Sequence, residues 1–275
     1  MRLAVFLPNW VGDVIMATPV IRALRKLAGD GELIGVMRPY VADVLEGCDW
    51  FDEHVCYAKK SEKPEYQWPR VRNRLRAGRF DAAVLLTNSL RTAWMAYRSG
   101  APERIGFARD MRGPLLTTRV YEPRRGWRRA PLTTIDGYLH VALAAGCDWE
   151  PPTLELTTTS ADEAAADAVW QRHGLPRGER VAVFNTGGAF GSAKDWPAEH
   201  FVQLARQLAH KQDFHVLINC GPAEREVAAR VAPAADHPRG VRIADEPAVP
   251  RGLTKAGGRR SQRVVSAASG PRVMG

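Results

Sequence analysis

The sequence predicts an α/β protein in which parallel sheets, covered by helices on both faces, are divided between two domains. Three observations predict it. Short apolar runs of strand length alternate with helical periodicities from the first residues onward. A Pro- and Thr-rich stretch, 150–158 (EPPTLELTT), interrupts that alternation and reads as a linker. The alternation then restarts at Ser160. A chain of 275 residues has room for about two domains.

The first domain spans residues 1–150. Residues 2–7 (RLAVFL) are a short apolar run ended by Pro8, as expected of a buried strand. Over 13–28, Val14, Ile15, Ala17, Val20, Ile21, Leu24 and Leu27 recur at three- and four-residue steps. This spacing predicts a helix, with a kink or short break at Pro19. A strand at 32–37 (ELIGVM), a short helix from Pro39 and a strand near 53–58 follow. The stretch 64–77 reads as a basic helix, 80–86 (FDAAVLL) as an apolar strand, and 89–98 as a helix. A strand lies around Ile105, and a helix over 133–145 ends at Gly146, a residue suited to the turn after a helix.

The second domain spans residues 151–275. Ser160 and Glu163 have capping-box spacing at the start of a helix over 161–173. A strand at 180–186 (RVAVFNT), a helix from Pro197, a strand at 214–219 (FHVLIN) and a helix from Pro222 follow, both prolines fitting a first helical turn. After about residue 233 the texture changes, and only 241–243 and 262–267 read as strands. A doubly wound sheet needs about five strands. The second domain is therefore expected to be incomplete.

Composition narrows the function classes. With 45% hydrophobic and 25% charged residues, the chain has material for a globular core. No apolar run approaches the ~18 residues of a membrane span, and the first residues turn polar too soon for a signal peptide. Cys48, Cys56, Cys147 and Cys220 are far apart and lack metal-ligand spacing, which disfavours a disulfide scaffold or structural zinc and points to a reducing cytoplasm. The net charge of +9 suggests an anionic partner. Residues 238–275 carry eight basic against two acidic residues, leaving +3 for residues 1–237. No RRM, KH or helix-turn-helix signature is present, so nucleic acid is not the expected partner.

Four places carry possible chemistry. In the first βα turn (LPNWVGD), Asp13 opens a helix at a strand's carboxyl end, where ligands of parallel sheets bind. Spacing alone favours an acid placed to suit the helix dipole over the other reading, a general base that takes a proton from a hydroxyl. The turn 185–197 (NTGGAFGSAKDWP) is rich in small residues, is followed by a helix start and contains Lys194, features of a phosphate cradle or of an ordinary Gly-rich loop. It lacks both the GxGxxG and the Walker pattern, which disfavours a dinucleotide oxidoreductase or a P-loop NTPase. In Gly221-Pro222-Ala223-Glu224, the acid suits ribose hydroxyls or a helix cap. Thr87-Asn88-Ser89-Leu90-Arg91-Thr92 is followed by Arg98, Arg104, Arg109, Arg112 and Arg119, a set suited to phosphate or carboxylate or to a solvated basic face. The run 124–129 (RRGWRR) reads as a surface loop or membrane-proximal patch. No Asp-x-Asp metal motif occurs.

Taken together, PNWVGDVIMATPVIRALRK, TNSLRTAWMAYRSGAPERIGFARDMRGPLLTTRV, NTGGAFGSAKDWPAEHFVQLA and GPAERE resemble the lipopolysaccharide heptosyltransferases of glycosyltransferase family 9. The likeness runs colinearly from residue 1 to about 231. It implies two Rossmann-like domains of the GT-B type, with an acceptor side in the first and ADP-heptose bound in the second. It further implies inverting transfer of a heptose to the lipopolysaccharide inner core, without metal or cofactor, in the cytoplasm and peripherally at the inner membrane. By matched position, Asp13 is the catalytic base and Lys194 neutralises the departing diphosphate. Thr186 and Gly187 form the phosphate turn, and Glu224 lies near the ribose. Asn88, Ser89 and Arg91 belong to the acceptor side.

One stretch departs from the family. Where the family carries a segment like TDSGPR, whose Asp helps hold the donor, this chain has Ser266-Ala267-Ala268-Ser269-Gly270-Pro271-Arg272. Ala268 stands in the acid's place, and the chain stops at Gly275. A truncated, catalytically inactive remnant of the family is the alternative expectation.

Overall fold

The computed structural model describes residues 1–275 except 59–60, 179, 188–194, 222–223, 232–240 and 245–275. The chain divides into two compact units, one built on residues 1–159 and one beginning at Ser160.

In the first unit six parallel strands, β1 (Arg2–Phe6), β2 (Glu32–Met37), β3 (Glu53–Cys56), β4 (Ala82–Leu85), β5 (Glu103–Phe107) and β6 (Thr118–Val120), pair in the order β3-β2-β1-β4-β5-β6. Side chains alternate across a strand, so both faces must be covered. Leu3, Val5 and Leu7 pack with Leu33, Val84 and Ile105 against α1 (Val11–Met16), α2 (Thr18–Ala28), α3 (Pro39–Val44) and α6 (Thr134–Ala144). Ala4 and Phe6 pack with Ile34, Val36 and Leu85 against α4 (Trp68–Ala77) and α5 (Leu90–Ser99) on the other face.

Several element boundaries differ from the sequence expectation. The predicted helix over 13–28 is two helices that meet at Ala17, with Pro19 in the first turn of α2, where its missing N–H costs nothing. The basic stretch 64–77 is a 3-10 turn at Pro64–Tyr66 followed by α4, because Pro69 fits only a helix start. Strand β6 was not expected. It is three residues long, too short to show an alternation. The 124–129 run is a hairpin, β7 (Arg124–Arg125) with β8 (Arg128–Arg129), turning at Gly126 (φ 62°) and Trp127.

Residues 150–157 lie against the first unit. Arg22 of α2 donates to Glu150 at 2.5 Å, to Glu155 at 3.1 Å and to the carbonyls of Pro151 and Thr153, while Lys26 reaches Glu150 at 2.6 Å. Gly47 lets this segment pass: a Cβ there would collide with the Thr157 carbonyl.

The second unit contains α7 (Ser160–Arg172), β9 (Val181–Asn185), α8 (Ala198–Lys211), β10 (His215–Asn219), α9 (Arg225–Val231) and β11 (Val241–Ala244). Its three described strands are parallel in the order β11-β10-β9. Phe184, Phe201, Ala205, Val216, Ile218 and Ala228 form its core. Pro197 precedes α8 as its N-cap residue instead of lying in its first turn. The expected strand at 262–267 and Ala268 lie outside the described residues.

Candidate functional site

Strand order decides where the first unit can bind. On one side of β1 the chain runs outward through β2 and β3, and on the other through β4, β5 and β6. The order reverses between β1 and β4, and parallel α/β sheets open a crevice at the carboxyl ends of such a strand pair. The segments leaving these two ends are Leu7–Asp13 and Leu86–Ser89, joined at their base by Leu86 N donating to Phe6 O at 3.0 Å. The topology therefore brings Asp13 to the same sheet edge as Asn88 and Ser89.

Asp13 sits in the first turn of α1 and is half-buried. Among the described residues no side-chain hydrogen bond or ion pair engages its carboxylate. Tyr138 of α6 is its electrostatic neighbour: burial, reinforced by the Asp13 charge, raises this phenol far above its ordinary value and keeps it protonated. Sequence reasoning missed Tyr138, which lies inside a helix whose apolar pattern hides it. Asn9, four residues before Asp13, is held from three sides. Arg38 Nε and Tyr57 OH each lie 3.3 Å from its Oδ1, and the Tyr40 hydroxyl donates to its carbonyl. Arg38 also covers the Tyr57 ring at 4.9 Å.

At the β4 end, Arg112 is fully buried and organises the loop. Its Nε donates to Phe107 O at 2.7 Å, its Nη1 to Thr87 O, and its Nη2 to Asn88 Oδ1 at 3.0 Å. Burial lowers this guanidinium to about 10, with the Arg109 charge adding to the effect and Asp110 opposing it. Asn88 is thus oriented from beneath. Ser89 caps α5, accepting from Thr92 N at 3.3 Å, and Arg91 is exposed in the first turn of that helix.

Most of the other arginines grouped by the sequence are anchored to protein atoms. Arg104 donates to the carbonyls of Leu115 and Ala101, at 2.7 and 2.5 Å, and Arg119 to that of Gly113 at 3.0 Å. Arg109 pairs with Glu122. Arg98 lies over the Trp94 ring. The crowding of arginines along this stretch thus reflects loop carbonyls to be satisfied as well as surface charge.

In the second unit, Thr186 and Gly187 leave β9 while Gly221 and Glu224 follow the adjacent β10. Glu224 folds back over both glycines. A Cβ at position 187 would stand 2.6 Å from Glu224 Oε1 and 2.7 Å from its Cδ, and one at 221 would stand 2.6 Å from its Oε2. Thr186 is 4% exposed, and its hydroxyl has no partner among the described residues. The strand ends thus bring together a buried hydroxyl with no described partner and, at the next residue, a glycine over which a carboxylate folds, groups able to hydrogen-bond a polar ligand. Trp196, just before α8, stacks on His200 at 5.4 Å and meets Phe201 edge-on at 4.8 Å. Lys194 lies outside the described residues. No three His, Cys, Asp or Glu side chains gather as metal ligands among the described residues, and none of their helices is long and apolar enough to cross a membrane.

Comparison with known proteins gives these features a context. The model of Glycosyltransferase family 9 (heptosyltransferase) matches residues 68–245. The chain is 27% identical over 214 residues to lipopolysaccharide heptosyltransferase 2 of Escherichia coli K12, a match covering 76% of this chain and 60% of that protein. It thus spans about 60% of the length of such curated relatives. Among solved structures, a family 9 glycosyl transferase from Veillonella parvula superposes with a TM-score of 0.72 at 23% identity, covering 89% of this chain and 68% of that one. The ADP-heptose lps heptosyltransferase II of E. coli superposes at 0.69 and 21% identity, covering 89% and 72%. These two likenesses show the fold: α/β, Rossmann-like and of the GT-B type.

Proposed function

The chain belongs to glycosyltransferase family 9, and from that premise we propose that it transfers heptose from ADP-heptose to the inner core of lipopolysaccharide. Transfer proceeds with inversion and without a metal, in the cytoplasm and peripherally at the inner membrane face. The observation that carries this reading is the cradle formed by Thr186, Gly187 and Glu224 at the carboxyl ends of β9 and β10. It lies within the family-matched segment and presents the groups a nucleotide diphosphate needs. The side-chain-free backbone at Gly187 admits a phosphate, the Thr186 hydroxyl donates to it, and the Glu224 carboxylate accepts from ribose hydroxyls.

The acceptor hydroxyl is placed at the β1–β4 edge of the first unit, between Asp13 and Asn88. Asp13 takes its proton as the oxygen attacks the anomeric carbon from the face opposite the ADP. The bond from that carbon to the diphosphate oxygen breaks, and the electron pair leaves with ADP. Lys194 is the cation assigned to the departing diphosphate. Asn88, oriented by Arg112, positions the acceptor, and Arg91 offers an exposed cation beside it. Protonated Tyr138 is a hydrogen-bond donor available to the Asp13 carboxylate.

Calorimetric titration with ADP-heptose tests the reading. Saturable binding that ADP displaces is expected, and absence of binding would exclude transferase activity for this chain. Ala268, where the family carries an acid, favours a second reading, a folded but inactive member. Binding without turnover on a lipopolysaccharide inner-core acceptor would establish it.

A further inference from the structure

Helices α4 and α5 carry an exposed surface of which the proposed transfer uses only Arg91. Only one side of α5 packs on the sheet, through Thr92, Ala93, Met95, Ala96 and Ser99. The outward side is Leu90, Arg91, Trp94, Tyr97 and Arg98. Leu90, Trp94 and Tyr97 follow i, i+4, i+7 spacing, so they line up as one stripe. They are 51%, 40% and 52% exposed, which for three large apolar side chains in a row requires an explanation. The ring of Trp68 on α4 tilts against that of Trp94 at 4.8 Å and extends the apolar strip toward the neighbouring helix.

The rim of this stripe is basic. Residues 68–104 contain eight arginines against two acids, Asp81 and Glu103, although residues 1–237 as a whole carry only +3. Asp81 is occupied by the Arg2 backbone N–H at 2.7 Å. Of the arginines, Arg74 pairs with Glu53 at 2.6 Å. Arg70, Arg76, Arg91 and Arg98 have no carboxylate partner among the described residues. Arg76, Arg98 and Arg104 with Tyr97 line a shallow cavity of about 410 Å³ beside the C-terminus of α5, and no acid lines it. Arg104 is held in place by the carbonyls of Ala101 and Leu115 and by the Tyr97 ring at 5.7 Å, so its charge is fixed but uncompensated.

We propose that the exposed face of α4 and α5 docks this protein on an anionic lipid bilayer, with Leu90, Trp94 and Tyr97 entering the interface and headgroup phosphates seated on Arg76, Arg98 and Arg104. Trp and Tyr have an apolar ring with a polar edge and settle at headgroup level. Arginines flanking such a stripe keep their stems on the apolar side and reach phosphates with their guanidinium groups. A mixed-charge protein partner would not call for so one-sided an excess of arginine. The pairing of apolar stripe and uncompensated charge is that of an amphipathic surface lying in the plane of an acidic membrane. This deepens the peripheral membrane contact in the function proposed above by giving it a surface.

Co-sedimentation of the full chain with vesicles tests it without donor or acceptor, so its failure is separate from failure of the transfer reading. Binding is expected to phosphatidylcholine vesicles containing phosphatidylglycerol and not to phosphatidylcholine alone, and it should weaken as salt rises. The pair Arg76→Glu with Arg98→Glu should lower partitioning about tenfold or more. The pair Trp94→Ser with Tyr97→Ser should also lower it, leaving a residual binding that salt removes. All four side chains are exposed, so thermal melts should match the parent. The proposal is overturned if the parent protein ignores anionic vesicles, or if both double variants bind them as the parent does. A concentration-dependent dimer abolished by the Trp94 and Tyr97 substitutions would equally overturn it, since the stripe would then be covered by a second copy.

Discussion

The carboxylate of Glu224 lies directly over Gly187, occupying the space that a Cβ at 187 would need. The two residues come from successive strand ends of one parallel sheet, and their contact holds the acid at the mouth of the proposed nucleotide cradle. Gly187→Ala must push the Glu224 side chain aside while leaving the backbone in place, because that side chain is the flexible partner. Donor affinity should fall at least about tenfold, with a stability cost of ~1–3 kcal/mol. Calorimetry and denaturant midpoints read the two effects separately. Unchanged affinity would remove Glu224 from the donor site.

Thr186 offers a sharper test. Its hydroxyl is buried with no partner among the described residues, so Thr186→Val removes a polar group that none of those residues engages. Stability of the free protein should stay level or rise by ~1 kcal/mol, while donor affinity falls. A variant that loses both would mark the hydroxyl as structural.

Asp13→Ala should cut turnover by about 10²–10⁴-fold and leave the ADP-heptose dissociation constant unchanged, the signature of a lost general base. Single-turnover kinetics and calorimetry on the same preparation provide the comparison. A large loss of donor binding would contradict the role.

Arg112 is a positioning residue, reaching the site only through Asn88. Arg112→Met leaves the carbonyls of Thr87 and Phe107 without their donor and should cost about 3 kcal/mol of unfolding free energy. Donor affinity in the second unit should not change, whereas KM for the acceptor should rise. Asn88→Ala should reproduce the acceptor effect without the stability loss.

Glu150 predicts a pH dependence. Burial works to raise its carboxyl, but hydrogen bonds and charges from Arg22 and Lys26 override burial and hold it below the ordinary value of 4.5. Protons therefore bind more readily to the unfolded chain. The contribution to stability is complete above 4.5 and is lost as pH falls through the lowered value. Denaturant titrations across this range should show a slope that Glu150→Gln flattens, with a loss of ~1–3 kcal/mol at neutral pH.

Much of the architecture was legible in the sequence because it is local. The apolar runs around Val5 and Val84 mark strands, the spacing of Val20, Ile21 and Leu24 marks a helix face, and Pro19 marks the break before it. Each follows from which side chains must leave water and how often the backbone turns them inward. The motif residues were legible by resemblance, yet their surroundings were not. Tyr138 beside Asp13, Arg112 beneath Asn88 and Glu224 over Gly187 join positions with no periodic relation.

The sequence by itself therefore determined the α/β class and the alternation of strands and helices in both halves, and it singled out candidate groups for the chemistry. Only the tertiary structure decided that β4 pairs with β1, which brings Asp13 and Asn88 to one sheet edge. It also decided that Arg76, Arg98 and Arg104 line one cavity while the chain-wide balance stays modest. The reason is that parallel pairing requires crossover connections. Burial patterns act over a few residues, whereas strand neighbours are chosen by the packing of whole helices on both faces of the sheet.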